Sequence, residues 1–136
     1  MGPPPLALAM VISDAIWVDP TTGKKTILGT FSAICGQAFP LPVPHIAIYL
    51  ALTDSRGVVP LKLRLVDVDE IRDPVQEVGL SPDFEDPVSI VEASLYMADV
   101  VFPEAGEYRL QLLTDNSGLI IERRILVMPV QEKSDG

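Results

Sequence analysis

The sequence of 136 residues has one cysteine, Cys35, and one histidine, His45. A single cysteine excludes an internal disulfide and any zinc site built from several cysteines. Basic residues are also scarce, because 10 Lys and Arg stand against 19 Asp and Glu, a formal net charge of −9. This charge argues against a nucleic-acid partner, since nucleic-acid binding relies on a positive surface.

Long apolar runs are missing as well. No stretch reaches the roughly 20 apolar residues that cross a bilayer, and no Lys or Arg precedes Lys24, whereas a secretory signal begins with basic residues. We therefore expect a cytoplasmic protein with no membrane partner. A hydrophobic content of 48% and a mean hydropathy of +0.32 argue against disorder. We predict one domain over residues 6–130, between a flexible N-terminal segment, 1–5, and a flexible tail, 131–136.

What is present is a strand pattern. Thirteen prolines leave little room for long helices, and apolar residues recur with a period of two. Residues 46–52 place one set of Ile and Leu on a single face, and residues 61–65 do the same. We predict that these two strands form a hairpin. Residues 88–102 make the longest strand candidate, in which the apolar phase changes and predicts a bulge near Ala98-Asp99.

A corner follows that strand. Pro103 and Gly106 predict a tight turn, and Tyr108 just after it is typical of the tyrosine that bonds to nearby backbone in immunoglobulin-like sandwiches. Turn signals recur at regular spacing, so we count about seven or eight short strands. The sequence therefore predicts an all-β fold, an immunoglobulin-like antiparallel β-sandwich. We expect the single tryptophan, Trp17, to fill the core.

Several short motifs occur along the chain: Asp14, Gly23-Lys24, Ile27-Leu28-Gly29-Thr30-Phe31, Phe39-Pro40, Pro44, and Pro103 with Gly106-Glu107-Tyr108. Together they resemble an uncharacterised bacterial family of short all-β proteins, over roughly residues 8–128. The resemblance implies the all-β fold and a cytosolic bacterial origin, with Gly29 and Phe31 as structural residues. The family has no assigned activity, so the resemblance carries over no catalytic residue.

Catalytic chemistry has little support in the residues themselves. Cys35 and His45 are the one possible nucleophile and base pair, and nothing in the sequence activates the thiol. We expect Cys35 to be a small buried hydrophobe and His45 to lie at a strand end. The carboxylates cluster in one proline-rich connection, which does not suit the paired acids of a glycosidase. We predict no enzyme and no cofactor.

The acidic excess lies in residues 67–86, which hold eight acids and one base, Arg72. The prolines there predict an exposed connection. Four of the acids, Asp67, Asp69, Glu70 and Asp73, offer oxygen ligands and make a weak calcium candidate, although their spacing is not that of an EF-hand. The alternative is a solvated loop that keeps the protein soluble.

Two sets of residues are candidates for protein contacts. Ala47, Tyr49 and Ala51 share an uncharged strand face, which is either covered by a loop or is an interface. Asp83, Glu85 and Asp86 lie in the acidic connection, which favours a basic partner. We therefore predict a non-enzymatic interaction or accessory module that binds a protein partner. The alternative is a self-assembling subunit, a homo-oligomer or a larger particle, and an enzyme is the third hypothesis.

Overall fold

The structure, a computed structural model, describes residues 3–130. These residues form eleven strands: β1 (Leu6–Val18), β2 (Lys25–Thr30), β3 (Ala33–Gly36), β4 (Leu41–Thr53), β5 (Gly57–Val58), β6 (Leu61–Asp67), β7 (Gln76–Leu80), β8 (Asp83–Phe84), β9 (Val91–Phe102), β10 (Gly106–Thr114) and β11 (Leu119–Pro129). The all-β prediction is confirmed, with more strands than the seven or eight expected. Within residues 3–130, no helix is long and apolar enough to cross a membrane.

Nine of the strands form two main sheets. The first has the order β2-β1-β4-β9, and all its pairs are antiparallel. The second has the order β3-β11-β10-β6-β7, and its single parallel pair joins β3 to β11. The chain passes from the first sheet to the second between β2 and β3, through Phe31 and Ser32. The short β5 and β8 pair with each other outside both sheets.

The two sheets enclose one hydrophobic core, so the fold is a β-sandwich. The first sheet contributes the inward row of β4, which is Ile46, Ile48, Leu50 and Leu52. The second contributes Leu61, Leu63 and Leu65 of β6, with Leu110 and Leu112 of β10. All of these side chains are at most 4% exposed. The period-two pattern identified the inward rows of β4 and β6 correctly.

The predicted hairpin between residues 46–52 and 61–65 is wrong. β4 pairs with β1 and β9 in the first sheet, whereas β6 pairs with β10 and β7 in the second. The connection 54–60 therefore crosses the sandwich and does not turn back within one sheet. Alternation shows which face a strand buries, and it carries no information on which strand lies beside it.

The phase change near Ala98-Asp99 is present, but the predicted bulge is not. On β9 the inward residues change from Met97 to Val100, and on the neighbouring β4 they change from Ile46 to Val43. Because both strands change at the same level, the register between them does not shift. Asp99 has a φ of 52°, the left-handed conformation that this local irregularity requires.

The corner between β9 and β10 is as predicted. The Tyr108 hydroxyl donates to the Glu104 carbonyl at 2.7 Å, and the Glu104 N–H donates back to it at 3.4 Å. The ring is 2% exposed and packs edge-on against Phe102, with centroids 4.9 Å apart. Burial raises the pKa of the Tyr108 hydroxyl.

Two predictions of burial are wrong. Trp17 is 53% exposed, because the hairpin of β1 and β2 extends beyond the core, and no side chain at 15–18 or 25–28 belongs to the core cluster. Cys35 is also exposed, on the edge strand β3. Phe31 packs against the core and Gly29 has a φ of 71°.

The N-terminal and acidic segments are more ordered than expected. Pro5 is buried and the Pro3 carbonyl accepts a hydrogen bond from the buried Ser55 hydroxyl, so residues 3–5 are held to the domain. Residues 1–2 and the tail 131–136 lie outside the described part. The acidic stretch 67–86 contains β7 and β8 and the buried Phe84, and is thus only partly an exposed connection.

Candidate functional site

The outer face of the five-stranded sheet is a charged, solvated surface. Arg109 contacts Glu107 at 2.6 Å and Glu122 at 2.8 Å, and Arg124 contacts Glu107 at 3.1 Å. The hydrogen bond to Glu107 raises the pKa of the Arg109 guanidinium. Acids and bases here neutralise one another across neighbouring strands, and such a surface suits water.

The outer face of the four-stranded sheet is different. Where the strand register is regular, it consists of nine residues, which we call the tyrosine face: Ala9, Val11, Ser13, Ala47, Tyr49, Ala51, Glu92, Ser94 and Tyr96. Glu92 is the one charged member, and its carboxylate accepts a hydrogen bond from the Tyr49 hydroxyl. This bond raises the pKa of Tyr49 to about 12. The face therefore presents almost no charge to a neighbour.

Tyr96 closes a gap in the same sheet. The ladder between β1 and β4 has its last pair at Ser13 and Ala47, and β4 then carries Pro44, which has no N–H. Beyond that point the Tyr96 hydroxyl accepts from the Ile16 N–H at 2.9 Å and donates to the Ile16 carbonyl at 3.1 Å. The hydroxyl thus takes the place of a missing strand partner.

The predicted contact residues on this face are not equally available. Ala47 is fully buried and Ala51 is 7% exposed. On β9, Ala47 lies opposite Tyr96 and Ala51 lies opposite Glu92, both larger side chains. Tyr49 is half-buried and Tyr96 is 48% exposed. The two alanines thus form the floor of the face, and the tyrosines form the part that a partner would contact.

The second predicted contact region is the acidic connection 67–86, and its end, together with the residues that follow, forms a tightly fixed segment, residues 83–90. Phe84 is 1% exposed and anchors the segment in the core. The Asp86 carboxylate accepts from the backbone N–H groups of Val88 and Ser89, both at 2.9 Å. The Thr53 hydroxyl donates to the Ser89 carbonyl at 2.9 Å. Of the three predicted acids, Asp86 therefore has a structural role, and its carboxylate is occupied.

The same segment exposes apolar side chains beside the other two acids. Val88 is 86% exposed and Ile90 is 62% exposed. Asp83 and Glu85 are exposed as well, and Asp83 pairs in β8 with Val58 of β5, which is 56% exposed. The segment is thus a fixed surface of mixed acidic and apolar character.

The calcium candidate is not assembled in the structure. Asp69, Glu70 and Asp73 are exposed on the 68–74 loop, whereas Asp67 ends β6 and has one carboxylate oxygen that is buried without a partner. Among residues 3–130 there is no group of three or more His, Cys, Asp or Glu side chains that could hold a metal ion. The four oxygen ligands are therefore close in sequence without converging in space.

The proposed nucleophile and base pair is also separated. Cys35 lies on β3 of the five-stranded sheet, and His45 lies on β4 of the four-stranded sheet. The His45 ring packs edge-on against Tyr96, with centroids 5.9 Å apart. This arrangement gives no support to the enzyme hypothesis based on these two residues.

One further feature, Arg123, lies at an opening between the sheets. Residues 122–124 are charged in both strand phases, so the sequence did not predict which side chain faces inward. The structure pairs Arg123 with Leu110, an inward residue. The Arg123 guanidinium donates to the Met10 carbonyl at 2.8 Å, across to the other sheet. It borders a cleft of about 240 Å³ that is also lined by Val11, Ile12, Thr30, Phe31 and Ser32.

Comparisons with known proteins identify the family of the chain. A solved structure, a Niemann-Pick type C2 protein from the Japanese carpenter ant, is similar, with a TM-score of 0.44 and 13% identity over 93% of this chain and 92% of that chain. No curated protein matches the sequence. The model of a family of unknown function, DUF6941, matches residues 8–123. The chain therefore belongs to this family, DUF6941.

Proposed function

We propose that the chain is a non-enzymatic interaction module whose segment 83–90 contacts a protein partner with a basic and apolar surface. We also propose that its sandwich is immunoglobulin-like. The strand order β3-β11-β10-β6-β7, the parallel pair of β3 with β11, and the Tyr108 corner before β10 all support this assignment. Loops at the end of such a sandwich are common contact surfaces.

One observation carries the proposal: exposed apolar side chains stand on a segment that is anchored. Phe84 is buried. Two hydrogen bonds accepted by the Asp86 carboxylate and one donated by the Thr53 hydroxyl fix the backbone around Val88. The fixed backbone therefore keeps Val88 and Ile90 exposed to water. A fixed exposed apolar surface is characteristic of a contact site, because little conformational entropy is lost when it binds.

The other acidic loop lacks this anchoring. Residues 68–74 are all exposed, including Ile71 at 83%, and none of these side chains enters the core. The loop is held by surface contacts only, since the Val68 N–H donates to the Glu107 carbonyl at 3.0 Å and Arg72 forms an exposed ion pair with Glu104 at 3.0 Å. It has no buried aromatic anchor like Phe84. For this reason we assign the contact to 83–90 and not to 68–74.

Charge indicates the chemistry of the partner. Asp83 and Glu85 are exposed, and the chain as a whole carries a net charge of −9. Opposite charge on the partner would steer the encounter and would weaken with added salt. We therefore expect lysines or arginines around an apolar contact on the partner.

The test uses matched loop variants. The bait variant Val88→Ser/Ile90→Ser removes the exposed apolar side chains of the proposed surface, and Val68→Ser/Ile71→Ser makes the same kind of change on the 68–74 loop. Proteins captured from a cell lysate are quantified for both variants and the wild type, and each candidate is then titrated as a purified protein. The proposal requires a partner whose affinity falls at least tenfold for the first variant and less than twofold for the second.

A charge variant completes this test. Asp83→Asn/Glu85→Gln should weaken the same partner several-fold at low salt and have less effect at high salt. If the partner binds all of these variants like the wild type, segment 83–90 is not its contact surface and the proposal is wrong.

A second candidate function is self-assembly through the tyrosine face. The observation in its favour is the contrast between the two outer faces of the sandwich. The outer face of the five-stranded sheet carries a network of ion pairs, whereas the tyrosine face has a single acid, Glu92. Edge and face contacts between β-sandwiches form readily where charge is missing. The occupant would be the tyrosine face of a second copy.

Light scattering on a size-exclusion column, over a hundredfold range of concentration, tests this candidate. Self-assembly predicts a mass that rises above 14.8 kDa with concentration. Tyr49→Lys should return the mass to that of the monomer, whereas Gln111→Lys on the opposite outer face should not. A constant mass of the monomer throughout would refute self-assembly.

A further inference from the structure

We propose that the cleft at Arg123 binds a carboxylate group attached to a small apolar body. The group is either a free short-chain carboxylic acid or the C-terminal carboxylate of a peptide. The site is separate from segment 83–90 and does not depend on the function proposed above.

The cleft exists because two edge strands each cover only half of their neighbours. β2 pairs with β1 from Ser13 to Val18, so residues 6–12 of β1 have no strand on that side within the described chain. β3 pairs with β11 only from Leu126 to Pro129. The uncovered halves of β1 and β11 lie next to the point at which Phe31 and Ser32 cross between the sheets. An opening therefore remains on this side of the sandwich.

Arg123 occupies a place in this opening that an apolar residue would normally fill. Its neighbours in the inward row of β11 are Ile121 and Ile125, and it pairs with the buried Leu110. Placing a guanidinium on this side of a strand costs free energy unless its N–H groups find acceptors. A charge in such a row, half-buried at the mouth of a cleft, indicates a role beyond packing.

Most N–H donors of the Arg123 guanidinium have no acceptor within residues 3–130. Within residues 3–130 its one hydrogen bond goes to the Met10 carbonyl, and no carboxylate lies within 4.0 Å. A guanidinium has five N–H donors, so most of them remain for a ligand. Its neighbour Arg124, on the outer face, is instead paired with Glu107 at 3.1 Å. The chain has 19 acids, and none of those described is placed to neutralise Arg123.

The rest of the cleft complements a carboxylate with a short apolar tail. Thr30 and Ser32 supply hydroxyl groups that have no side-chain hydrogen bond within the described chain. The half-buried Phe31 supplies apolar surface, and Ile12, which is 1% exposed, lies beneath the cleft in the core. A volume of about 240 Å³ accommodates a group of several heavy atoms.

A carboxylate suits this cleft better than a phosphate. The planar guanidinium can bind both carboxylate oxygens through parallel N–H donors. A single positive charge balances a monoanion, whereas a dianion keeps an uncompensated charge and is repelled more strongly by a chain whose net charge is −9. The half-buried Phe31 ring beside the guanidinium also offers an apolar contact to the hydrocarbon body of an acid.

The experiment is a titration of ¹⁵N-labelled protein followed by NMR, with isovalerate as the first probe. We expect saturable shifts of the Arg123 Nε–H signal and of the backbone amides of residues 30–32. Arg123→Gln should weaken the apparent affinity at least tenfold. Arg124→Gln is the matched control, because it removes the same charge from the adjacent residue on the other face, and it should change affinity less than twofold.

Further arms define the ligand and guard against misfolding. N-acetyl-Gly-Val presents a peptide carboxylate on a similar side chain, so tighter binding of this probe than of isovalerate identifies a peptide C-terminus as the source. Inorganic phosphate should bind at least fivefold more weakly than isovalerate. If Arg123→Gln does not fold, Arg123→Lys retains the charge without the planar fork and should weaken binding at least fivefold. Shifts that do not saturate, or that are equal in Arg123→Gln and Arg124→Gln, would overturn the proposal.

Discussion

Removing one hydroxyl, by Tyr96→Phe, should destabilise the protein far more than the same change at Tyr49. The Tyr96 hydroxyl accepts from the Ile16 N–H at 2.9 Å and donates to the Ile16 carbonyl at 3.1 Å. Ile16 is 9% exposed, so water replaces these bonds poorly when the hydroxyl is removed. Two hydrogen bonds at about 1 kcal/mol each give a loss of about 2 kcal/mol in the free energy of unfolding.

Tyr49→Phe is the matched control on the same face. The Tyr49 hydroxyl donates to the carboxylate of Glu92 at the surface, where water readily takes its place. We expect a loss of less than about 0.5 kcal/mol for this change. Both variants keep the aromatic ring, so the difference between them reports on the hydroxyl groups.

The measurement is equilibrium unfolding in urea, followed by circular dichroism, together with thermal melting. A loss of about 2 kcal/mol should lower the melting temperature by about 6–10 °C, since a chain of this size loses about 3–5 °C for each kcal/mol. If Tyr96→Phe and Tyr49→Phe are equally stable, the Tyr96 hydroxyl does not replace a strand partner, and the interpretation of this gap in the sheet is wrong.

Three further predictions concern Gly29 in β2, the anchor Phe84 and the surface residue Tyr49. Gly29→Ala should cost about 1–2 kcal/mol in urea unfolding, because Gly29 has a φ of 71° and a new Cβ would meet the Asp14 carboxylate; unchanged stability would contradict this. Phe84→Ala should cost about 3–5 kcal/mol and make the 83–90 segment sensitive to limited proteolysis, whereas Val88→Ala should stay within about 0.5 kcal/mol of the wild type. The pKa of Tyr49 is raised from 10 to about 12 in the folded protein, so the hydroxyl's contribution to stability is complete below pH 10 and is lost as the pH rises through 12. The wild type should therefore lose stability relative to Tyr49→Phe over this range in urea unfolding, and a constant difference would contradict the assignment.

Much of the core was predictable from the sequence because alternation reports directly on the pleat. The rows Ile46–Leu52 and Leu61–Leu65 face inward as expected. The partner of each strand was not predictable, since β4 and β6 show the same alternation and lie in different sheets. We predicted that Trp17 lies in the core because of its size. It lies instead on the hairpin of β1 and β2, in a part that extends beyond the core between the two sheets.

The candidate sites were predicted less well, for physical reasons that differ between them. Phe84 was overlooked because the acids around it indicate an exposed loop, yet a single aromatic side chain is enough to anchor the segment. Arg123 was not assigned to either face because charged residues at 122–124 remove the alternation on which the assignment depends. Ala47 and Ala51 were correctly placed on one face with Tyr49, but the depth at which small residues lie below tyrosines depends on the neighbouring strands.

The prolines of this chain explain which hydroxyl groups are structural and which remain for a partner. A proline ends a ladder of backbone hydrogen bonds because it has no N–H, and a hydroxyl can replace a strand partner because it both donates and accepts. Tyr96 does this for Ile16 beside Pro44, and Tyr108 does it for Glu104 beside Pro103, each through two bonds to one backbone residue. Tyr49 does not replace a strand partner, since its hydroxyl donates only to the carboxylate of Glu92 at the surface. Of the three tyrosines, Tyr49 is therefore the one that can contact a partner without loss of a hydrogen bond to the backbone. For this reason Tyr49→Lys tests assembly more than it tests folding.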